Sequence, residues 1–194
     1  MPSTGRVELE GRDITRWRPY RRGRNGLART FQHGHSFSGL TVRENVEVAA
    51  LGVGAWQRTA RRRAEDLLGM LGLEARADTA AGLLPHGEER KLGVARALAT
   101  EPRFVLMDEP AAGLHEEEVA EFAQVIRAVR DEVEAGVLLI DHNVALIMDV
   151  CDRVHVLDRG RTLAEGTPEE IRRNLDVATA YLGAGGSAVE TADV

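Results

Sequence analysis

Two short apolar runs, each entered from a helical stretch and each ending in polar residues, limit what this chain can fold into. The first is Phe-Val-Leu-Met at 104–107, followed by Asp108, Glu109 and Pro110; the second is Val-Leu-Leu-Ile at 137–140, followed by Asp141, His142 and Asn143. A helix predicted over 88–100 leads through Pro102 into the first run. A longer one, about 116–133, leads through Gly136 into the second, and a third covers 143–150. Helices alternating with wholly apolar strands are the pattern of a parallel sheet covered by helices. Two more short strands are predicted near 153–157 and 161–164. Thr167-Pro168-Glu169-Glu170 then opens a further helix, with Pro at its first position.

The front of the chain reads differently. Residues 6–9 predict a short strand ending in the turn Glu10-Gly11-Arg12-Asp13, residues 14–25 a short exposed helix, and residues 26–31 another strand. Thr41 opens a helix, with Glu44 three residues on as its capping-box partner. A second helix spans 57–71, with Ala64, Leu67, Leu68 and Leu71 at helical spacing and Arg61, Arg62 and Arg63 on its outer side. These two helices have little strand signal around them and read as a helical insert. The tail from Gly183 is small and polar and predicts disorder.

Composition narrows the class. The chain has 194 residues, 43% apolar and 29% charged, which is ordinary for a soluble globular protein. No apolar run approaches the roughly 20 residues of a membrane helix. The segment MPSTGRVELE has no apolar signal core, which argues against secretion. The single cysteine, Cys151, excludes an internal disulfide and a cysteine metal cluster and fits a reduced compartment. Residues 1–76 carry 14 basic and 8 acidic groups, and this basic bias admits a nucleic-acid or membrane surface. A solvated arginine-rich surface explains it more simply. Trp17 and Trp56 are read as packing on the core or on a partner, and His33 and His35 as a polar loop rather than a metal site.

Four constellations carry chemistry. Asp108 and Glu109 follow a buried strand, and ligands of parallel sheets gather at the carboxyl ends of strands. One carboxylate there can hold Mg²⁺ and its neighbour can orient or deprotonate a water. Alone, such a pair is most often a charged turn. Second, residues 83–98 place Gly87 before a helix whose first backbone N–H groups can bind phosphate. Third, His142 lies just past the second buried strand, within reach of a phosphate oxygen at the same sheet edge. Fourth, Gln32 ends a strand and enters the helical insert, where its amide can ligate Mg²⁺ or position water.

In this order the four resemble the nucleotide-binding domain of ABC-type ATPases. Gln32 matches the Q-loop, Leu84-Pro85-His86-Gly87-Glu88 the signature loop, Asp108 the Walker B aspartate, Glu109 the catalytic glutamate and His142 the switch histidine. Ala112-Gly113-Leu114-His115 falls at the D-loop. The resemblance spans about residues 5–183. The flanking text, among it GLARTFQ, LTVRENVEVAA, DEPAAGL and GTPEEIRRNLDVATAYLG, is similar to the ATPase subunit of branched-chain amino-acid transporters. Urea transporters and lipopolysaccharide exporters share parts of it. Pro85 and His86 replace a Ser-Gly of the general signature, Glu88 replaces its Gln, and His115 replaces an Asp or Asn of the D-loop.

The resemblance implies an α/β fold: a truncated, RecA-like P-loop NTPase core with a helical subdomain. Residues 1–32 would run to the Q-loop, 33–87 form the helical subdomain with the signature loop, and 88–166 hold the Walker B pair and switch histidine. Residues 167–183 would be a helical extension and 184–194 a disordered tail. A phosphate-gripping loop needs G-x-x-x-x-G-K-[ST]. Twenty-four of the 25 basic side chains are arginine, and the one lysine, Lys91, follows Arg90, so no such loop lies within these residues. The expectation is a chain beginning just after that unit, weak in ATP binding alone and short of a central strand, with apolar sheet surface left bare.

By resemblance, ATP would lie between two such subunits, Asp108 and Gln32 would serve Mg²⁺, Glu109 would polarise the attacking water, and His142 would contact the γ-phosphate. Pro85, His86, Gly87 and Glu88 would meet the ATP of a second subunit. The implied partners are membrane permease subunits, touched by residues 32–46, a second ABC ATPase subunit and, indirectly, a substrate-binding protein. Nucleic acid is not among them. The implied location is cytoplasmic, on the inner face of the cell membrane. The competing reading is a non-catalytic module that lends only its signature loop or permease contacts. An ABC-type DNA-repair ATPase needs a long coiled-coil insert, and residues 33–83 are too short for one.

Overall fold

The computed structural model describes residues 3–30 and 36–182, with the side chains of 181 and 182 set aside. Gln32, His33, His35 and the tail from Gly183 lie outside the described residues. The chain divides into two compact units, Met1–His142 and Asn143–Val194.

The first unit opens with a hairpin. β1 (Glu8–Leu9) pairs antiparallel with β2 (Arg12–Asp13) across Glu10 and Gly11, at φ 49° and 75°. Two positive φ values in a two-residue loop make the turn whose twist matches its strands. Helix α1 (Pro19–Gly23) follows, with the Arg21 guanidinium 4.3 Å from the centre of the Trp17 ring. Strand β3 (Leu27–Arg29) enters a three-stranded parallel sheet with β4 (Phe104–Asp108) and β5 (Gly136–Ile140), in the order β3-β4-β5. The parallel sheet expected from the apolar runs is therefore present.

Alternation gives this sheet two unlike faces. On one, Ala28, Val105 and Met107 are buried. On the other, Phe104, Leu138 and Ile140 stand 38%, 58% and 58% exposed. Gly136 belongs to the same face: a Cβ there would lie 2.7 Å from the Phe104 ring, so a larger residue would force that ring to shift.

Three helices of the first unit share a core. α2 (Val42–Gly52), α3 (Gln57–Met70) and α4 (His86–Leu98) bury Val42, Val46, Ala50, Ala64, Leu68 and Leu92 to 1% exposure or less. Each buried Val or Leu contributes roughly 1.5–3 kcal/mol. The predicted capping box closes α2: the Glu44 amide donates to Thr41 Oγ1, and the Thr41 amide donates to Glu44 Oε2 at 2.7 Å. Asn45 is fully buried and fully used. Its amide donates to the carbonyls of Phe37 and Thr41, and its Oδ1 accepts from the Phe37 N–H at 2.8 Å, fixing the entry to α2. Trp56, by contrast, is 84% exposed at the head of α3, so it does not pack on the core. Helix α5 (Glu116–Glu132) lies between β4 and β5 in the chain and buries Phe122, Ile126 and Val129.

The second unit holds α6 (Val144–Val150), a hairpin of β6 (Val154–Asp158) and β7 (Arg161–Gly166), then α7 (Pro168–Arg172) and α8 (Leu175–Leu182). Its core is Val154, Val156 and Ile171, packed with Ile147, Met148, Leu163 and Val177. No described helix is long and apolar enough to cross a membrane.

Candidate functional site

Asp108 is the last residue of β4, in register with Ile140 at the end of β5. The chain turns at once. Glu109 takes φ 46°, and its amide donates to the Ile140 carbonyl at 2.7 Å. A left-handed non-glycine residue costs about 1–2 kcal/mol, and here the bond to the neighbouring strand holds it. His142 lies two residues past Ile140, with its side chain 75% exposed. The parallel pairing of β4 and β5 thus brings Asp108, Glu109 and His142 to one sheet edge.

The turn after Glu109 is held from three directions. The Ala112 amide donates to the Glu109 carbonyl at 3.2 Å, which closes the turn itself. The Ala111 amide donates to Asp141 Oδ2 at 3.1 Å, from a side chain that is wholly buried. From α4, Arg90 Nη2 donates to the Ala112 carbonyl at 3.1 Å. Burial pulls the Arg90 guanidinium below its usual pKa, while the Glu89 and Asp141 carboxylates act in the opposite sense.

Helix α4 begins at His86 rather than at residue 88, with Pro85 as its N-cap. Proline supplies no cap side chain but suits the helix entry, since its φ of −58° is fixed by the ring. The signature residues therefore form the cap and first turn of this helix, where backbone N–H groups have no partner within the helix. Gly87 sits under α5: a Cβ there would come 2.8 Å from Glu118 Oε1. The other oxygen of Glu118, Oε2, accepts the His115 amide at 2.9 Å, as half of a capping box for α5. Glu88 turns aside to Arg76, whose Nε lies 3.1 Å from Oε2. His86 faces Arg90 Nη2 at 3.3 Å.

Asp108 has a cationic neighbour that the motifs did not mark. Arg29, at the end of β3, reaches across to it, and Nη2 lies 2.8 Å from Oδ2. Of the two groups expected to serve Mg²⁺, Asp108 is thus at the sheet edge and Gln32 is outside the described residues. Among the described residues no three His, Cys, Asp or Glu side chains gather to hold a metal by themselves. One carboxylate fits Mg²⁺ that takes most of its shell from phosphate and water.

Sequence reasoning missed Arg29, Arg90, Asp141 and Glu118. Arg29 and Asp108 are 79 residues apart and meet only because β3 and β4 pair. Arg90 and Asp141 both lie beside residues that the motifs marked, and burial alone sets them apart from ordinary surface charges.

Comparisons with known proteins bear on the family of the whole chain. Residues 1–112 match the family model for the ABC transporter, and residues 161–187 that for the branched-chain amino acid ATP-binding cassette transporter. The chain is 38% identical to the high-affinity branched-chain amino acid transport ATP-binding protein LivG of Salmonella typhimurium, over 94% of this chain and 77% of that one. It is 36% identical to BraF of Pseudomonas aeruginosa, a protein with the same description, over 94% and 78%. The ADP conformation of MJ1267, an ATP-binding cassette of an ABC transporter, superposes with a TM-score of 0.79 at 25% identity, over 93% of this chain and 78% of that one. With a family model over more than half its length and such relatives over nearly all of it, the chain belongs to the ABC transporter family, among its ATP-binding ATPase subunits.

Proposed function

We propose that this chain is the ATPase subunit of an importer for branched-chain amino acids, working against membrane permease subunits at the inner face of the cell membrane. The substrate reading rests on LivG and BraF, both described as branched-chain amino acid transport proteins, and on the match of residues 161–187 to that transporter model. The observation that carries the chemistry is the carboxylate pair at the end of β4, beside His142 at the end of β5.

In this reading Glu109 orients and polarises the water that attacks the terminal phosphate, and His142 steadies that phosphate through its exposed ring. Asp108 and Gln32 hold Mg²⁺, which when bound neutralises charge on the phosphate oxygens. Pro85, His86, Gly87 and Glu88 present the first turn of α4 to ATP held by a second such subunit. Residues 33–87 act as the helical subdomain, and residues 32–46 touch the permease.

The alternative is that the chain contributes only its signature turn. In that case the chain lends the α4 turn to a partner's nucleotide and hydrolyses none itself. Two substitutions in the reconstituted transporter separate the readings. Glu109→Gln stops turnover if the chain is catalytic. If it only lends its signature turn, Glu109→Gln leaves turnover intact and Gly87→Asp, which sets a carboxylate where phosphate would sit, lowers it.

A further inference from the structure

Arg90 is a buried guanidinium that the hydrolytic chemistry does not use. It is 9% exposed, and its Nε and Nη1 are buried without a hydrogen-bond partner. Burying an arginine with part of its hydrogen-bonding capacity unmet costs stability, which sets Arg90 apart from the surface arginines of the chain. Its bonded nitrogen, Nη2, faces two groups: the Ala112 carbonyl at 3.1 Å and His86 Nε2 at 3.3 Å.

Those two contacts join two parts of the site. His86 is the first residue of α4, in the turn that would face a partner's nucleotide. It also lies against the turn, since a Cβ on Gly113, at φ 78°, would meet His86 Nε2 at 3.4 Å. Ala112 closes the turn that begins at Glu109, through its own amide on the Glu109 carbonyl. Two consecutive hydrogen bonds, Arg90 to Ala112 and Ala112 to Glu109, therefore run from α4 to the backbone of the proposed catalytic carboxylate.

We propose that Arg90 is a positioning residue, tying the first turn of α4 to the turn that carries Glu109, so that occupation of α4 by a partner's nucleotide sets the placement of this chain's own Glu109. The proposal rests on the two-subunit reading above. Arg90 acts through the Ala112 carbonyl, and the orphaned Nε and Nη1 leave it able to shift with α4 at little loss of other bonds.

The test uses Arg90→Met and Arg90→Lys in the 194-residue chain and in the reconstituted transporter. Methionine keeps the aliphatic stem and removes the buried charge, so the thermal unfolding midpoint is expected to stay within a few degrees. Amide exchange at Ala112 and Leu114 is expected to rise at least tenfold in Arg90→Met and less in Arg90→Lys. In the transporter, kcat is expected to fall with KM for ATP unchanged, with partial rescue by lysine. Unchanged exchange at Ala112 in a folded Arg90→Met chain overturns the proposal. So does loss of folding in both variants, which makes Arg90 a structural residue only. The exchange measurement needs no nucleotide, so a transporter without turnover removes the hydrolytic reading while the tie between α4 and the Glu109 turn is still decided.

Discussion

Arg29 and Asp108 meet at 2.8 Å across the ends of two paired strands, which places a guanidinium on the carboxylate proposed to serve the metal. The contact engages Oδ2 of Asp108 and orients the carboxylate. It also sets a positive charge beside any cation that approaches. At about 4 Å in water such repulsion is roughly 1 kcal/mol, or about fivefold in affinity. Arg29→Met is therefore expected to tighten Mn²⁺ binding, used as a paramagnetic stand-in for Mg²⁺, by a few-fold. The loss of a half-exposed ion pair should cost about 1 kcal/mol of stability or less. Unchanged or weaker Mn²⁺ binding would mean that Arg29 helps the site by fixing the Asp108 rotamer.

The capping box at Thr41 gives a pH-dependent prediction. Thr41→Ala removes the hydroxyl that accepts from the Glu44 amide, at a cost of about 1 kcal/mol by urea unfolding at pH 7. In the folded chain the Thr41 backbone N–H, and then its hydroxyl, donate to the Glu44 carboxylate and hold its pKa below the usual glutamate value. A depressed folded value means stability that is present above the unfolded pKa, about 4.3, and lost as pH falls through the folded one. The stability gap between wild type and Thr41→Ala should therefore narrow below about pH 4. A gap constant from pH 7 to 3 would show that the carboxylate takes no part.

The same capping box marks the kind of feature that is legible in the sequence. Thr41 and Glu44 are three residues apart, and local geometry leaves them little choice, so the pattern alone places the start of α2. The apolar runs are legible for the same reason: wholly apolar strands between helices have few other solutions, and their ends put Asp108 and His142 at one sheet edge. What escapes the sequence depends on pairing at a distance. Arg29 gains meaning from β3 lying beside β4, and Arg90 from burial between α4 and the turn after Glu109. Helix α4 starts two residues early because Pro85 caps it where Ser, Thr, Asp or Asn would ordinarily be sought. Trp56 has the chemistry of a packing residue, yet its place at the head of α3 leaves it 84% exposed.

The bare face of the parallel sheet predicts the behaviour of the purified chain. Leu138 and Ile140 stand on β5, each 58% exposed. Contiguous apolar surface of this kind promotes association. Leu138→Ser with Ile140→Thr is expected to reduce binding of an apolar dye and delay aggregation on concentration. Because both side chains face outward, each change should alter stability by roughly 0.5 kcal/mol or less. A loss of several kcal/mol on denaturant unfolding would show that this face is covered in solution.

Glu109 is the residue on which the account turns. Its left-handed backbone is held by the Ile140 carbonyl, and its turn is gripped by Asp141 and Arg90. The most direct measurement is ATP turnover by the reconstituted transporter carrying Glu109→Gln, a change that keeps size and hydrogen bonding while removing the base. The account predicts a fall of about 10²- to 10⁴-fold in kcat, with nucleotide binding retained. Turnover equal to wild type would contradict it and leave the chain as a partner that lends only the first turn of α4.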